Sequence, residues 1–459
     1  MKRPAFFGAT QAKGRAQVAT GSRLVNLFSR RSAMGAVSEI ALYGTAGTTL
    51  FADTGNANPI LGMHRFGDLV YAVTRDTLYS INEVGTVATI GSVLLSGPVS
   101  MASNKTSMAF VDGARGYKYD GTTLAEISDA AFYPSSSVAF MNGYLVFVRD
   151  GTQQYFITGL DAVTFDASDF ASAETQNDNL LAVLQDHREL WLFGEKTIEV
   201  HYNRGDADFP FKPIEGALVE HGIASPFSMA KADNSVFILS DEGIVYRFVG
   251  YQAERISTHE IEFAIGQRNL NTARAFAWYE EGHTNIQFNL GADLSVVYEV
   301  STGLWHERSH IDHGRHHADC HVLAFGKNLV GDFSTGKVYE QNLSTYDDAG
   351  RPMIAIGESA PLHVNRARAF HSSFEIRHEP GVGLTTGQGS DPQIMMQFSD
   401  DGGATWSNER WKSLGAKGER SKRTEWRRLG ESRERIYRVA ISDPVQRAML
   451  ATAYVEVET

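Results

Sequence analysis

Short apolar strands recur along this chain every 35 to 50 residues or so, and that period constrains the fold more than any other feature. Gly67–Tyr71, Thr106–Phe110, Gly143–Phe147, Glu189–Phe193, Ser235–Leu239, Asn285–Phe288 and Lys327–Val330 each follow a turn-like polar residue or glycine. Several are followed a few residues later by a second strand carrying an aromatic: Leu78-Tyr79, Tyr117–Tyr119, Val245–Phe248, Val296–Tyr298 and Val338-Tyr339. A strand, a turn and a strand at this period is what successive blades of a propeller require. Two stacked β-sandwiches would also give short strands at regular spacing, and the propeller is favoured over them.

Seven such units lie between about residues 37 and 345, and the blade count reads as six or seven, with seven favoured. The last unit lacks an outer strand, whereas Thr48–Ala52 has a strand pattern and no unit of its own. Pairing the two would close the ring and hide two open edges. From Ser359 onward the pattern changes to strands over Phe370–Arg377, Gln393–Ser399, Ile436–Ile441 and Ala451–Val457, which fits a β-sandwich-like domain. Helix is minor, with its best candidate near Glu260–Ala264. The expected organisation is all-β: a basic N-terminal arm over 1–36, a β-propeller over 37–350, and a C-terminal β-sandwich-like domain over 351–459.

Charge is distributed unevenly. The 459 residues carry a net −12, yet residues 1–31 hold seven basic side chains and no acid. Residues 410–438 also sum to +7, which leaves −24 on residues 32–409. An acidic body binds nucleic acid poorly, because phosphate affinity grows with each phosphate neutralised. Basic ends on an acidic body suit docking onto acidic partners instead. The single cysteine, Cys320, excludes an intrachain disulfide. No apolar run approaches a membrane span, and Met1-Lys2-Arg3-Pro4 opens no signal-peptide core, so synthesis in the cytoplasm is expected.

Four constellations bear on chemistry. Ser399-Asp400-Asp401-Gly402-Gly403-Ala404-Thr405-Trp406 resembles the Asp-box turn of sialidases, in which Ser399, Asp401, Gly403, Thr405 and Trp406 would build a structural hairpin remote from catalysis. His306, His310, His313, His316, His317 and His321 surround Cys320, a spacing that matches no recognised metal-ligand pattern and leaves metal binding and pH sensing both open. Asp161, Asp166, Asp169, Glu174, Asp178, Glu195 and Glu199 are abundant acids, but nothing singles out the carboxylate pair that glycoside hydrolysis needs. Asp112–Gly116 is glycine-rich but lacks the lysine of a phosphate loop and reads as a turn. The sequence therefore assigns no catalytic, cofactor-binding or metal-binding residue, and the protein is not expected to be an enzyme. The segment from Arg410 to Arg428 interleaves basic and aromatic side chains, as nucleic-acid surfaces and protein interfaces both do. The acidity of the rest favours an interface, with Trp411, Arg423, Trp426, Arg427 and Arg428 as its candidate residues.

Three further stretches carry a family resemblance. Asp150-Gly151-Thr152 followed by Phe156-Ile157-Thr158, then Gly194 to Tyr202 with Thr197-Ile198-Glu199 and a trailing Gly222-Ile223-Ala224, then Arg423 to Gly430 around Trp426, occur in order along the chain. Arg23 to Phe28 adds a Val-Asn-Leu entry motif. Together these resemble the packaged DNA stabilisation proteins, tail accessory factors of short-tailed phages. Glu358–Gly389 departs from the family pattern, so interface details there do not carry over. The resemblance implies a structural virion protein, made in the bacterial cytoplasm and placed in the tail. It implies a hexameric ring below the portal and adaptor that closes or extends the channel, retains packaged DNA, and meets tail needle and fibres or spikes. DNA would be a partner only by passing through the channel, with no membrane anchor and no cofactor. The rival readings are a sialidase-like glycoside hydrolase and a carbohydrate-binding propeller.

Overall fold

In the computed structural model, residues 1–8, 21–32, 38–173, 176–206, 208–365 and 367–458 are described. Seven four-stranded antiparallel blades follow one another around a ring. Their innermost strands are Gly62–Phe66, Ser100–Ser103, Val138–Met141, Leu180–Asp186, Met229–Ala232, Arg274–Glu280 and Ala318–Ala324. The strands read from the sequence are the middle ones of each blade. Tyr144–Val148 and Ser235–Leu239, for example, are almost wholly buried because both faces pack on neighbouring blades.

The ring is closed. Each blade interface carries its own apolar cluster, seven in all among the described residues. The seventh blade takes its outer strand from the other end of the chain: Gly47–Asp53 pairs antiparallel with Lys337–Asn342, with Leu50 opposite Tyr339. Stacked sandwiches are thereby excluded, since the described residues of this region form seven separate sheets around the ring. The short helix falls where expected, at His259–Gly266, capped by Thr258.

The C-terminal body is a β-sandwich. One sheet orders Lys2–Phe6, Thr452–Glu458, Ala369–Ile376 and Thr424–Arg427. The other continues the sixth blade: Leu304–Arg308 pairs in parallel with Arg23–Val25 at Val25 and Glu307, and Arg23–Val25 pairs with Ala355–Glu358. Glu434–Ile441, Gln393–Ser399 and Arg410–Ser413 follow, so one ten-stranded sheet crosses from propeller to sandwich. Phe7, Phe374, Trp426, Tyr437, Val439 and Val455 fill the space between the sheets, with Phe374 stacked on Tyr437 at 4.5 Å. The described parts of the basic N-terminal segment thus supply strands to both sandwich sheets.

Candidate functional site

The two sandwich sheets end side by side, at Arg410–Ser413 on one and Thr424–Arg427 on the other. Arg410, Trp411, Lys412, Arg423, Glu425, Trp426 and Arg427 line an open groove there. An edge strand offers unpaired backbone groups, and basic side chains on it deter indiscriminate pairing. Trp411 is half exposed and donates from Nε1 to Glu409 at 3.2 Å. Arg410 donates to the carbonyls of Arg427 and Arg428 at 3.2 and 3.3 Å, which ties the two edges together.

Trp426, an interface candidate that also reads as a core residue of the sandwich, is 3% exposed, lies against Phe374 at 5.7 Å and donates to the Arg410 carbonyl at 2.9 Å. Strand alternation turns it inward between Glu425 and Arg427. Two of the arginines already hold intramolecular partners: Arg423 forks onto Glu375 at 2.9 and 2.8 Å, and Arg427 reaches Glu425 at 3.0 Å. Arg428 is exposed and sits at φ 59°, turning the chain out of the edge strand.

The Ser399–Trp406 turn is built as its motif requires. Ser399 Oγ donates to Asp401 at 2.7 Å and accepts from the Gly403 amide at 2.9 Å, while Asp401 accepts from the Thr405 amide and hydroxyl. Those bonds from Thr405 and Ser399 hold the Asp401 carboxyl well below the usual range. Arg438 lies 3.6 Å over the Trp406 ring, so the turn braces the junction sheet.

Of the acids singled out in the sequence, Asp166 and Asp169 share the strand Phe165–Ser172, where burial and then Asp166 raise the Asp169 carboxyl. Asp178 accepts from the Lys196 and Thr197 amides at 2.8 and 2.7 Å, and Asp166 caps Ser168. Glu199 is buried beside His201, which in turn meets the Tyr155 hydroxyl at 2.9 Å. Glu174 lies outside the described residues. At Asp112–Gly116 the carboxylate accepts from the Ala114 and Arg115 amides, an ordinary turn.

The ring's central cavity, about 540 Å³, is lined by the innermost strands. Asp319 is the acid among its described lining residues, and it is held by Arg274 at 2.7 Å and Arg315 at 2.5 Å. Burial would raise its carboxyl, but the two guanidiniums hold it below the usual range. Cys320 and His321 also face the cavity; burial pushes the Cys320 thiol up to about 12, so it is not poised as a nucleophile. The histidine run divides: His306 packs on Phe28, His321 turns to the cavity, and His310 stacks on both His313 and His317.

The stretches that carry the resemblance occupy demanding positions. Asp150 accepts from the Ser136 amide and hydroxyl, and Gly151 turns the chain at φ 71°. A Cβ on Gly222 would lie 2.0 Å from the Glu195 carbonyl oxygen, so only glycine lets the chain pass under the fourth blade. Asn26, at φ 53°, donates to the carbonyls of Ser309 and Ile354, both at 2.9 Å, and accepts from the Ser309 amide. These motifs lie at the joints between elements.

A family model described as bacteriophage P22 Gp10, beta-propeller, matches residues 4–346, and a second, bacteriophage P22 Gp10, beta-sandwich, matches residues 359–458. The chain belongs to the bacteriophage P22 Gp10 family. Gp10-family proteins are phage stabilisation proteins, tail components that retain packaged DNA, which implies a structural rather than enzymatic role and a place in the virion. The Gp10 propeller and sandwich matches cover the ring and the sandwich described above, the propeller match also taking in N-terminal strands that pair into the sandwich. No match was found among curated proteins. Among solved structures, the computationally designed Ika8 protein is 14% identical, with 74% of this chain and 99% of that chain covered and a TM-score of 0.39. The Neurospora crassa Pan2 WD40 domain is 8% identical over 65% and 94% of the two chains at a TM-score of 0.44, and YCF48 bound to D1 peptide is 10% identical over 65% and 96% at 0.42.

Proposed function

We propose that this protein is a ring-forming subunit of a short phage tail, assembling as a hexamer below the portal and adaptor. It closes or extends the DNA channel and offers docking surfaces to needle and fibres or spikes. The observation that carries this reading is the solvent-facing basic edge of the sandwich, with Trp411 and Lys412 exposed, on a molecule whose residues 32–409 sum to −24. A basic edge and an acidic body on one chain are complementary between successive copies, and a heterologous contact of that kind closes into a ring when its rotation permits. DNA passes such an acidic body with little attraction. The interface surface is Arg410, Trp411, Lys412 and Arg428, with Trp426 beneath it as support.

The test is sizing of the purified chain, alone and with a portal–adaptor complex, beside a Trp411→Ala/Lys412→Glu variant. The wild type assembles and the variant remains a folded monomer. A wild type that stays monomeric with and without the complex, or one whose duplex-DNA affinity falls steeply with salt, would overturn the reading.

A further inference from the structure

Twelve buried side-chain nitrogen and oxygen atoms among the described residues have no hydrogen-bond partner, and eight of them belong to one group: His316, His317, Asp348, Arg308, Gln341 and Arg447. The four atoms on Arg308, Gln341 and Arg447 are N–H donors that need an acceptor, which a metal-bound hydroxide would supply, and buried polar atoms without partners gathered at one place mark a missing occupant. Both nitrogens of His316, Nε2 of His317 and Oδ2 of Asp348 are among them. One ligand atom from each of these three side chains lies within 4.8 Å of the other two, and all three residues are buried.

We propose that His316, His317 and Asp348 bind a divalent transition-metal ion of the zinc class at the seam of the propeller. Two imidazoles and one carboxylate are the donor set such an ion takes, with water completing the coordination, whereas magnesium and calcium select oxygen. Bond lengths of about 2.0–2.2 Å require the three donors to draw together by roughly 1 Å, a side-chain adjustment.

The surroundings hold the site in place. His317 stacks on Tyr339 at 4.6 Å, and the His316 amide donates to Ser295 at 3.1 Å. Asp348 accepts from Thr48 Oγ at 3.2 Å on its other oxygen, leaving Oδ2 free. Arg308 and Arg447 flank Asp348, but their bound N–H groups point away, to Gln341 and the Ala46 carbonyl for Arg308 and to the Tyr346, Met353 and Asp443 carbonyls for Arg447. Three guanidiniums act on the group, Arg308 and Arg315 on both histidines and Arg308 and Arg447 on Asp348; Asp319 offsets Arg315, and Glu280, Asp347 and Asp443 offset the other two when a cation enters. His316 and His317 lie between the sixth and seventh blades, and Asp348 is bridged to Thr48 of the ring-closing strand. The ion therefore ties the blade connection to the strand that seals the ring, a structural role.

The experiment uses the full chain stripped with a chelator, then titrated with zinc by calorimetry and with cobalt by visible absorption. One ion binds per chain, cobalt shows the strong bands of low-coordinate ligation, and thermal stability rises with zinc. His316→Gln and Asp348→Asn each weaken binding by roughly a hundredfold or more, while a variant lacking two exposed histidines, His187→Ala/His259→Ala, binds as wild type. If one substituted chain fails to fold, the other substitution and the wild-type cobalt spectrum still decide. No uptake by the wild type, which would leave the group filled by water, overturns the proposal. So do uptake unchanged in both site variants and a six-coordinate cobalt spectrum.

Discussion

At the scale of single residues, two tryptophans fifteen positions apart behave oppositely because of which way a strand turns them. Trp426 fills the sandwich between Phe374 and the Arg410 carbonyl, so Trp426→Ala should cost about 3–5 kcal/mol and lower the urea midpoint of the chain. Trp411 is half exposed, and Trp411→Ala should change stability by less than about 0.5 kcal/mol while weakening self-assembly. Equal losses of stability in the two variants would show that Trp411 is structural as well. His371 gives a pH test in the same domain. Its ring nitrogens meet the Ser432 and Tyr437 hydroxyls at 2.9 and 2.7 Å, and burial, helped by Arg435, lowers its pKa from 6.5 to about 4. Because the folded value is the lower one, the unfolded chain takes up the proton first. The contribution is complete above pH 6.5 and is lost as pH falls towards about 4, a loss of about 2 kcal/mol after discounting for partial solvation. Denaturation midpoints measured across that window should fall less steeply for His371→Gln than for wild type.

At the scale of elements, the closing strand is the one most exposed to test. Gly47–Asp53 is the only described partner of Lys337–Asn342 on its outer side, and Ala52 belongs to the cluster between the seventh and first blades. Deleting residues 1–55 should therefore open the ring, broaden the unfolding transition and expose the 337–342 edge to aggregation. A truncated chain that unfolds with unchanged cooperativity would show that the ring does not depend on this strand. That pairing was legible in the sequence because a strand without a unit and a unit without a strand stood at opposite ends of one repeat. The middle strands of the blades were legible too, since burial on both faces writes continuous apolar runs such as Tyr144–Val148. Outer strands such as Val87–Ser92 were not, because their exposed side chains carry no period. Trp426 stood open between interface anchor and sandwich core for a related reason: within the basic run the apolar face shrinks to one side chain, and charge there hides the alternation. The His316, His317 and Asp348 group was out of reach, since Asp348 lies 31 residues beyond His317 and only ring closure brings them together.

At the scale of the whole molecule, propeller and sandwich share a sheet, and the joint is ionic. Arg23 forks onto Glu307 of the sixth blade at 2.8 and 2.7 Å and lies 4.0 Å from Glu358 of the sandwich. Glu358 also accepts from Arg438 at 2.6 Å, and Arg438 rests on Trp406. The backbone pairing beneath is thin, a single parallel bridge from Val25 to Glu307. The side chains therefore couple the two bodies more than the ladder does. Arg23→Ala takes the arginine from the largely buried Glu307 and leaves Glu358 to Arg438 alone. The penalty for breaking a fully buried pair is about 3–5 kcal/mol, and partial exposure of Arg23 reduces it to about 1–3 kcal/mol here. Calorimetry should show one transition for the wild type and two for this variant, as the bodies uncouple. Arg23→Met/Glu307→Gln removes the pair together and spares the stranded charge at Glu307, so it should recover most of the loss. If the double variant is no better than Arg23→Ala, the cost lies in the Arg23–Glu358 contact or in the packing of the arginine stem. If both variants still unfold in one transition at the wild-type temperature, the shared sheet and the Asn26 hydrogen bonds join the bodies and the ionic joint is incidental.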